Sequence, residues 1–195
     1  MRPSLVLLAG PNGAGKTTVY ETRVAPAFAG PFVNADIIQR DELRDPSMKA
    51  SYEAARMAEA RRQELLDSGR SFATETVFSH VSKLEVIGAA QARGYLVVVM
   101  HVGIDSPELS VGRVRCRTEE GGHDVPEDKI HARYERGQPL IRQAVLRADR
   151  GMVLDNSRLN TPPRQMLVFA NGRLVQAAPA LPEWILKGYA ADLLF

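Results

Sequence analysis

Residues 10–17 read Gly-Pro-Asn-Gly-Ala-Gly-Lys-Thr, and residue types in that order suit one task, the grip of a polyphosphate. The glycines let successive backbone N–H groups line a concavity for phosphate oxygens, and a helix opening at the lysine adds the positive end of its dipole. Lys16 is expected to reach the β- and γ-phosphates, and the Thr17 hydroxyl to sit on Mg2+. The nucleotide-contacting set is then Gly10, Pro11, Asn12, Gly13, Ala14, Gly15, Lys16, Thr17 and Thr18. The motif points to a bound nucleoside triphosphate, since a short apolar run suited to a buried strand (residues 5–9) precedes it and a helix can follow at 18–24.

Two carboxylates stand where such a ligand can use them. Asp36 follows a short apolar stretch, and Glu75 lies inside the run Phe72-Ala-Thr-Glu-Thr-Val-Phe78. An ionised side chain in such a strand is costly unless it faces a polar cleft, so Glu75 reads as a substrate contact. A carboxylate beside a polyphosphate can accept the proton of an attacking hydroxyl or hold metal or substrate, which is the reading for Asp36; its competing role is to cap a short helix over 37–43. Eight of the twenty arginines fall within residues 113–150. Around Gly121-Gly122 they suggest a lid over about 113–137, with Arg117 and Arg133 closing on the transferring phosphate.

These groups need a scaffold, and strand and helix signals alternate along the chain. Strands are expected at 5–9, 31–34, 71–77, 95–101 and 151–155. Asp45 as cap and Pro46 at the first position open a long helix that runs to Gly69, and further helices are expected at 82–93, from Ser106-Pro107 and from Pro126, the last with a kink at Pro139. The continuous apolar run Tyr95-Leu-Val-Val-Val-Met-His101 suits a strand buried on both faces, the mark of a parallel sheet under helices. Asn171-Gly172 between apolar pairs signals a two-residue hairpin, and a last helix over 182–194 is expected to pack on the sheet. The expected fold is a doubly wound, mostly parallel α/β P-loop NTPase, the fold class that includes the nucleotide kinases. It has a helical lid and a C-terminal β-hairpin and helix (about 164–195) in a single domain of residues 1–195, with ligands at the carboxyl ends of the strands.

Composition sets the surroundings. The 195 residues carry a formal net charge of +2, are 45% apolar, and include one cysteine and four histidines without metal-ligand spacing. That balance describes an ordinary globular chain, offers no continuous basic tract for nucleic acid, and contains no run as long as a membrane span. A cytoplasmic protein is expected, with no transition metal.

Taken together, residues 8–18, Asn34-Ala-Asp36, residues 72–79, the stretch from Arg113 to Gly121-Gly122-His123 with Val125-Pro126, Arg133-Tyr134 and Asp155-Asn-Ser157 resemble the zeta toxin family, in particular its short stand-alone members, over about residues 5–157. The resemblance implies an ATP-dependent kinase whose best-known relatives phosphorylate the 3′-hydroxyl of UDP-N-acetylglucosamine and are held inactive by a small helical antitoxin. It implies Asp36 as general base, Glu75 as acceptor contact with Thr76 and Asn34 beside it, Arg117 and Arg133 as stabilisers of the transferring phosphoryl group, and ATP with Mg2+. The chain departs from the toxic members at Val77, where they often carry threonine, and lacks much of their C-terminal region. The other readings of the same loop are a kinase for another metabolite or nucleotide, and a non-catalytic ATP-binding or antitoxin-binding module.

Overall fold

Residues 2–119 and 125–193 are described by the computed structural model. Among these described residues seven strands are formed: β1 (Ser4–Ala9), β2 (Phe32–Val33), β3 (Phe72–Thr76), β4 (Leu96–Gly103), β5 (Arg150–Asp155), β6 (Arg164–Ala170) and β7 (Arg173–Ala177). They make one sheet in the order β2-β3-β1-β4-β5-β6-β7. Pairing is parallel from β2 to β5, and β6 and β7 add on antiparallel. Because the chain leaves β1 for β2 and β3 on one side and returns to β4 on the other, a crevice opens at the carboxyl end of β1.

Alternation along β1 sends Leu5, Leu7 and Ala9 to one face and Val6 and Leu8 to the other, all buried. A slip of one residue would exchange both sets, and each fully buried leucine contributes about 1.5–3 kcal/mol, so the register is firmly held. The first face packs on α3 (Met48–Asp67), α4 (Lys83–Ala92), α6 (Glu127–Arg147) and α7 (Glu183–Gly188), through Ala54, Ala58, Ile87, Ile141 and Ile185. The second face meets Val19 of α1 (Lys16–Val19) and Val24, in the wide turn Tyr20–Val24 that continues it. A short α2 (Ala35–Ile37) leads into a similar turn, Ile38–Leu43, and α5 (Pro107–Glu119) completes the set. Among the described residues, no helix is long and apolar enough to cross a membrane.

Three expectations change. The cap of α3 is Ser47, not Asp45: the Ser47 hydroxyl accepts from the Ala50 N–H at 3.2 Å, while the Asp45 carboxylate turns onto Ser47 itself. The helix therefore begins at Met48, two residues beyond the expected Pro46. The last helix is shorter than 182–194. It ends at Gly188, and Tyr189 leaves helical geometry (φ −117°) with its ring fully buried; a 3-10 turn, Ala190–Asp192, follows. Its expected packing does hold, since Trp184 and Ile185 are buried. The helix α6 continues through Pro139 as one element. The hairpin forms as expected, with Asn171 and Gly172 both at positive φ between β6 and β7. The expected lid glycines, Gly121 and Gly122, and His123 lie outside the described residues.

Candidate active site

The loop from β1 to α1 is held against its neighbours so closely that glycine is required. A Cβ on Gly10 would meet the Val102 carbonyl oxygen at 2.1 Å, and Gly15 combines φ of 83° with an Asn156 side-chain nitrogen 2.5 Å from where a Cβ would sit. Non-glycine residues avoid that backbone region, so the sequence pattern is written by sterics. Asn156, just past β5, donates from Nδ2 to the Ala14 carbonyl at 2.8 Å. Ser110 Oγ on α5 donates to the Asn12 carbonyl, and Arg113 reaches the carbonyls of Gly13 and Ser157 at 3.4 Å each. The loop is thus fixed from β5 and from α5 before any ligand arrives.

Lys16 is buried, with Nζ donating to the Pro11 carbonyl at 3.1 Å. Burial lowers its pKa, and the charges of Glu75 and Asp36 pull it back up. Burial likewise pushes the Glu75 carboxyl above its usual range, against the pull of Lys16 and a 2.9 Å hydrogen bond donated by Thr17 Oγ1. Lys16 and Glu75 thus each offset part of the penalty that burial places on the other's charged form.

Asn34 rather than Asp36 is the cap of α2: its Oδ1 accepts from the Asp36 and Ile37 N–H groups at 2.8 and 3.4 Å. The capping role that was the alternative for Asp36 therefore falls to Asn34. The Asp36 carboxylate is exposed, and among the described residues it takes no side-chain hydrogen bond. The Asn34 oxygen, conversely, is committed to the helix, which leaves only its NH2 group for a ligand. Thr76 Oγ1 accepts from the Phe78 N–H at 3.1 Å, bracing the turn after β3 where Phe78 has φ of 53°.

One cleft of about 560 Å3 gathers these groups. It is lined by Asn12, Gly13, Gly15, Lys16, Thr17 and Thr18 from the loop, by Asn34 and Asp36, by Glu75 and Thr76, and by Arg117 and Arg133 from the helices above. The size suits a small-molecule site. Of the expected nucleotide contacts, Gly10, Pro11 and Ala14 are buried beneath the loop and do not line the cleft.

Comparison with known proteins can now be set beside this geometry. The sequence model of the zeta toxin family matches residues 1–160. The chain belongs to the zeta toxin family. Zeta toxins are built on a P-loop kinase fold, and the enzyme class that follows is ATP-dependent phosphotransferase. Among solved structures, the chain resembles the PezAT chromosomal toxin-antitoxin system of Streptococcus pneumoniae with a TM-score of 0.61 and 19% identity, over 80% of this chain and 69% of that one. It resembles AvrRxo1-ORF1:-ORF2 with ATP with a TM-score of 0.66 and 16% identity, over 89% of this chain and 60% of that one. An uncharacterized protein of Haemophilus influenzae is 25% identical over 134 residues, 69% of this chain and 94% of that protein. The seven-stranded, mostly parallel sheet agrees with this kinship.

Sequence reasoning missed several members of the site. Lys129 and Arg113 line the cleft, each four residues before an arginine that was expected there, Arg133 and Arg117. The i,i+4 spacing was the available signal, because it puts each pair on one helix face. Arg62 and Lys83 also line it, hidden within ordinary amphipathic helices. Asp155 was notable only as part of a family pattern. It is buried at the end of β5 and accepts from Ser157, from Arg164 at 2.8 Å and from the Trp184 indole at 3.2 Å. Burial pushes its carboxyl up, but the Arg164, Ser157 and Trp184 hydrogen bonds outweigh this and hold it below the usual range.

Proposed function

We propose that this zeta-family chain transfers the γ-phosphate of ATP to a hydroxyl of a small acceptor, with UDP-N-acetylglucosamine the acceptor favoured by its family, and with Asp36 as general base. The observation that carries the reading is the Asp36 carboxylate, without a hydrogen-bond donor among the described residues, sharing one cleft with Lys16 and the phosphate loop. In this reading the acceptor oxygen attacks phosphorus in line, its proton passes to Asp36, and the bond between the γ-phosphorus and the β–γ bridging oxygen breaks to release ADP. Lys16, Arg117 and Arg133 balance the negative charge that spreads over the transferring group. Glu75, Thr76 and the Asn34 NH2 group orient the acceptor.

The donor set fits Mg2+. The Thr17 hydroxyl and the Glu75 carboxylate are hard oxygens 2.9 Å apart, beside a backbone cradle that a Cβ would obstruct. Bound there with ATP, Mg2+ would neutralise phosphate charge and fix the orientation of the β- and γ-phosphates. Thr17 and Glu75 are the residues that would hold it, directly or through water. A small antitoxin is the partner to expect, because PezAT is a toxin-antitoxin system of related fold.

The test is incubation with Mg·ATP and UDP-N-acetylglucosamine followed by mass spectrometry, with Lys16→Ala as control. A phosphorylated sugar nucleotide made by the wild type alone supports the proposal. ADP formed with other acceptors only would leave a kinase of different specificity, and ATP bound without any product would favour the binding-module reading.

A further inference from the structure

Trp184 lies on α7, beyond the residues 1–160 that match the family, and it does not line the cleft. Its indole N–H donates to Asp155 Oδ1 at 3.2 Å. Its ring lies so close over Gly103, at the end of β4, that a Cβ there would meet three ring carbons at 2.2–2.7 Å. The same C-terminal segment is tied to α6, where Arg142 makes paired bonds of 2.6 and 2.8 Å to Asp192. A large aromatic side chain is thereby set against the carboxyl ends of β4 and β5.

The turn it holds is the one that braces the phosphate loop. The Asp155 carboxylate accepts from the Ser157 hydroxyl at 2.5 Å and from the Ser157 N–H at 3.3 Å, which closes an Asx turn around Asn156, and Arg164 donates to its other oxygen at 2.8 Å. The Asn156 N–H donates at 2.8 Å to the carbonyl of Gly103, the glycine beneath Trp184. Fixed at both ends, Asn156 turns its side chain onto the loop and holds the Ala14 carbonyl at 2.8 Å. In a planar trans peptide the carbonyl and the next N–H point in opposite directions. Holding the Ala14 carbonyl therefore turns the Gly15 N–H away from Asn156, and Gly15 lines the cleft.

We infer that Trp184 is a positioning residue for the phosphate loop. Its bond to Asp155 and its seat on Gly103 fix Asn156, Asn156 fixes the Ala14–Gly15 peptide, and nucleotide affinity is set in part by a C-terminal helix outside the nucleotide cleft. This rests on the reading of the loop as the ATP site, and the two can fail separately.

Mg·AMP-PNP is titrated calorimetrically into the wild type, W184F, N156A and the double variant, at a temperature where thermal unfolding shows all four folded. W184F keeps an apolar aromatic side chain but removes both the N–H donor and the far edge of the indole that sits on Gly103. It should raise the AMP-PNP Kd at least about threefold, and N156A should do so at least as strongly. Because both act by one route, the double variant should bind no more than about twofold more weakly than N156A alone. A merely structural tryptophan predicts lower thermal stability with an unchanged Kd, and action by a separate route predicts that the two losses multiply; either result overturns the inference. Should W184F fail to fold, R164Q takes its place in the cycle with the same expected outcomes, since it removes another donor from Asp155 at a side chain 43% exposed. Wild-type protein that binds no AMP-PNP overturns the nucleotide reading and the inference with it, whereas equal binding by wild type and variants overturns the inference alone.

Discussion

His101 offers a prediction whose size can be worked out in advance. It lies in β4 with no exposed surface, Nδ1 is 2.8 Å from the Tyr189 hydroxyl, and its ring meets Trp184 edge-on at 5.2 Å. Among the described residues Nε2 has no hydrogen-bond partner. Burial lowers its pKa from 6.5 to about 3. Below pH 6.5 the unfolded chain thus takes up a proton that the native chain refuses. Stability from this residue is complete above the unfolded value and is lost as pH falls toward the folded one, by about 1.4 kcal/mol per pH unit. The loss is about 2 kcal/mol at pH 5 and about 3.4 kcal/mol at pH 4. His101→Phe removes the titration but strands the Tyr189 hydroxyl, at a cost of about 1–3 kcal/mol. The variant should therefore be less stable at pH 7.5 yet show a flatter profile, so that its deficit shrinks and reverses near pH 4. Urea unfolding followed by far-ultraviolet circular dichroism from pH 4 to 7.5 measures both profiles. Parallel profiles would refute the reasoning, because every other titrating group is common to the two proteins.

Three more expectations concern the site and one the core. Lys16→Ala abolishes product formation, and Asp36→Asn lowers kcat by about 10²–10⁴-fold with ATP binding within twofold, read by coupled assay and calorimetry; undiminished turnover in folded Asp36→Asn protein would remove the base assignment. Because burial raises the Glu75 pKa, the acid limb of the kcat/KM profile should lie above the ordinary carboxylate range, and Glu75→Gln should move that limb to lower pH. Gly15→Ala places a Cβ 2.5 Å from the Asn156 amide, so ATP affinity should fall at least about tenfold, or about 1.4 kcal/mol, in calorimetry. Gly103→Ala drives a methyl group to within 2.2 Å of the Trp184 ring, and overpacking of that kind should cost about 1–3 kcal/mol in thermal or urea unfolding.

The legible parts of this molecule are those where one residue type answers one physical demand. Gly10, Gly15 and Lys16 could be read because backbone approach and phosphate charge leave no substitute, and the sheet could be read because Val97, Val99 and Val102 must be buried between layers. The start of α3 was misread because Asp45, Pro46 and Ser47 are all good residues at a helix entrance, and only the folded backbone decides among them. The last helix was overextended because Tyr189 continues an apolar pattern, whereas the hydrogen bond to His101 turns its ring into the core. Lys129, Arg62 and Lys83 were missed because a cation on an amphipathic helix looks the same whether it faces water or a cleft; topology alone brings α3, α4 and α6 around β3.

The charges assembled by that topology suit the cleft to a polyanion. Lys16, Arg113, Arg117, Lys129 and Arg133 face two carboxylates, Asp36 and Glu75, and such an excess of positive charge costs stability until a polyanion arrives. The loop offsets part of that cost internally, since Lys16 donates to the Pro11 carbonyl and Thr17 to Glu75. The exposed Asp36 stands outside this web of bonds. Among the described residues its carboxylate takes no donor, whereas Glu75 accepts from Thr17 at 2.9 Å, and that difference is what the Asp36→Asn and Glu75→Gln variants read.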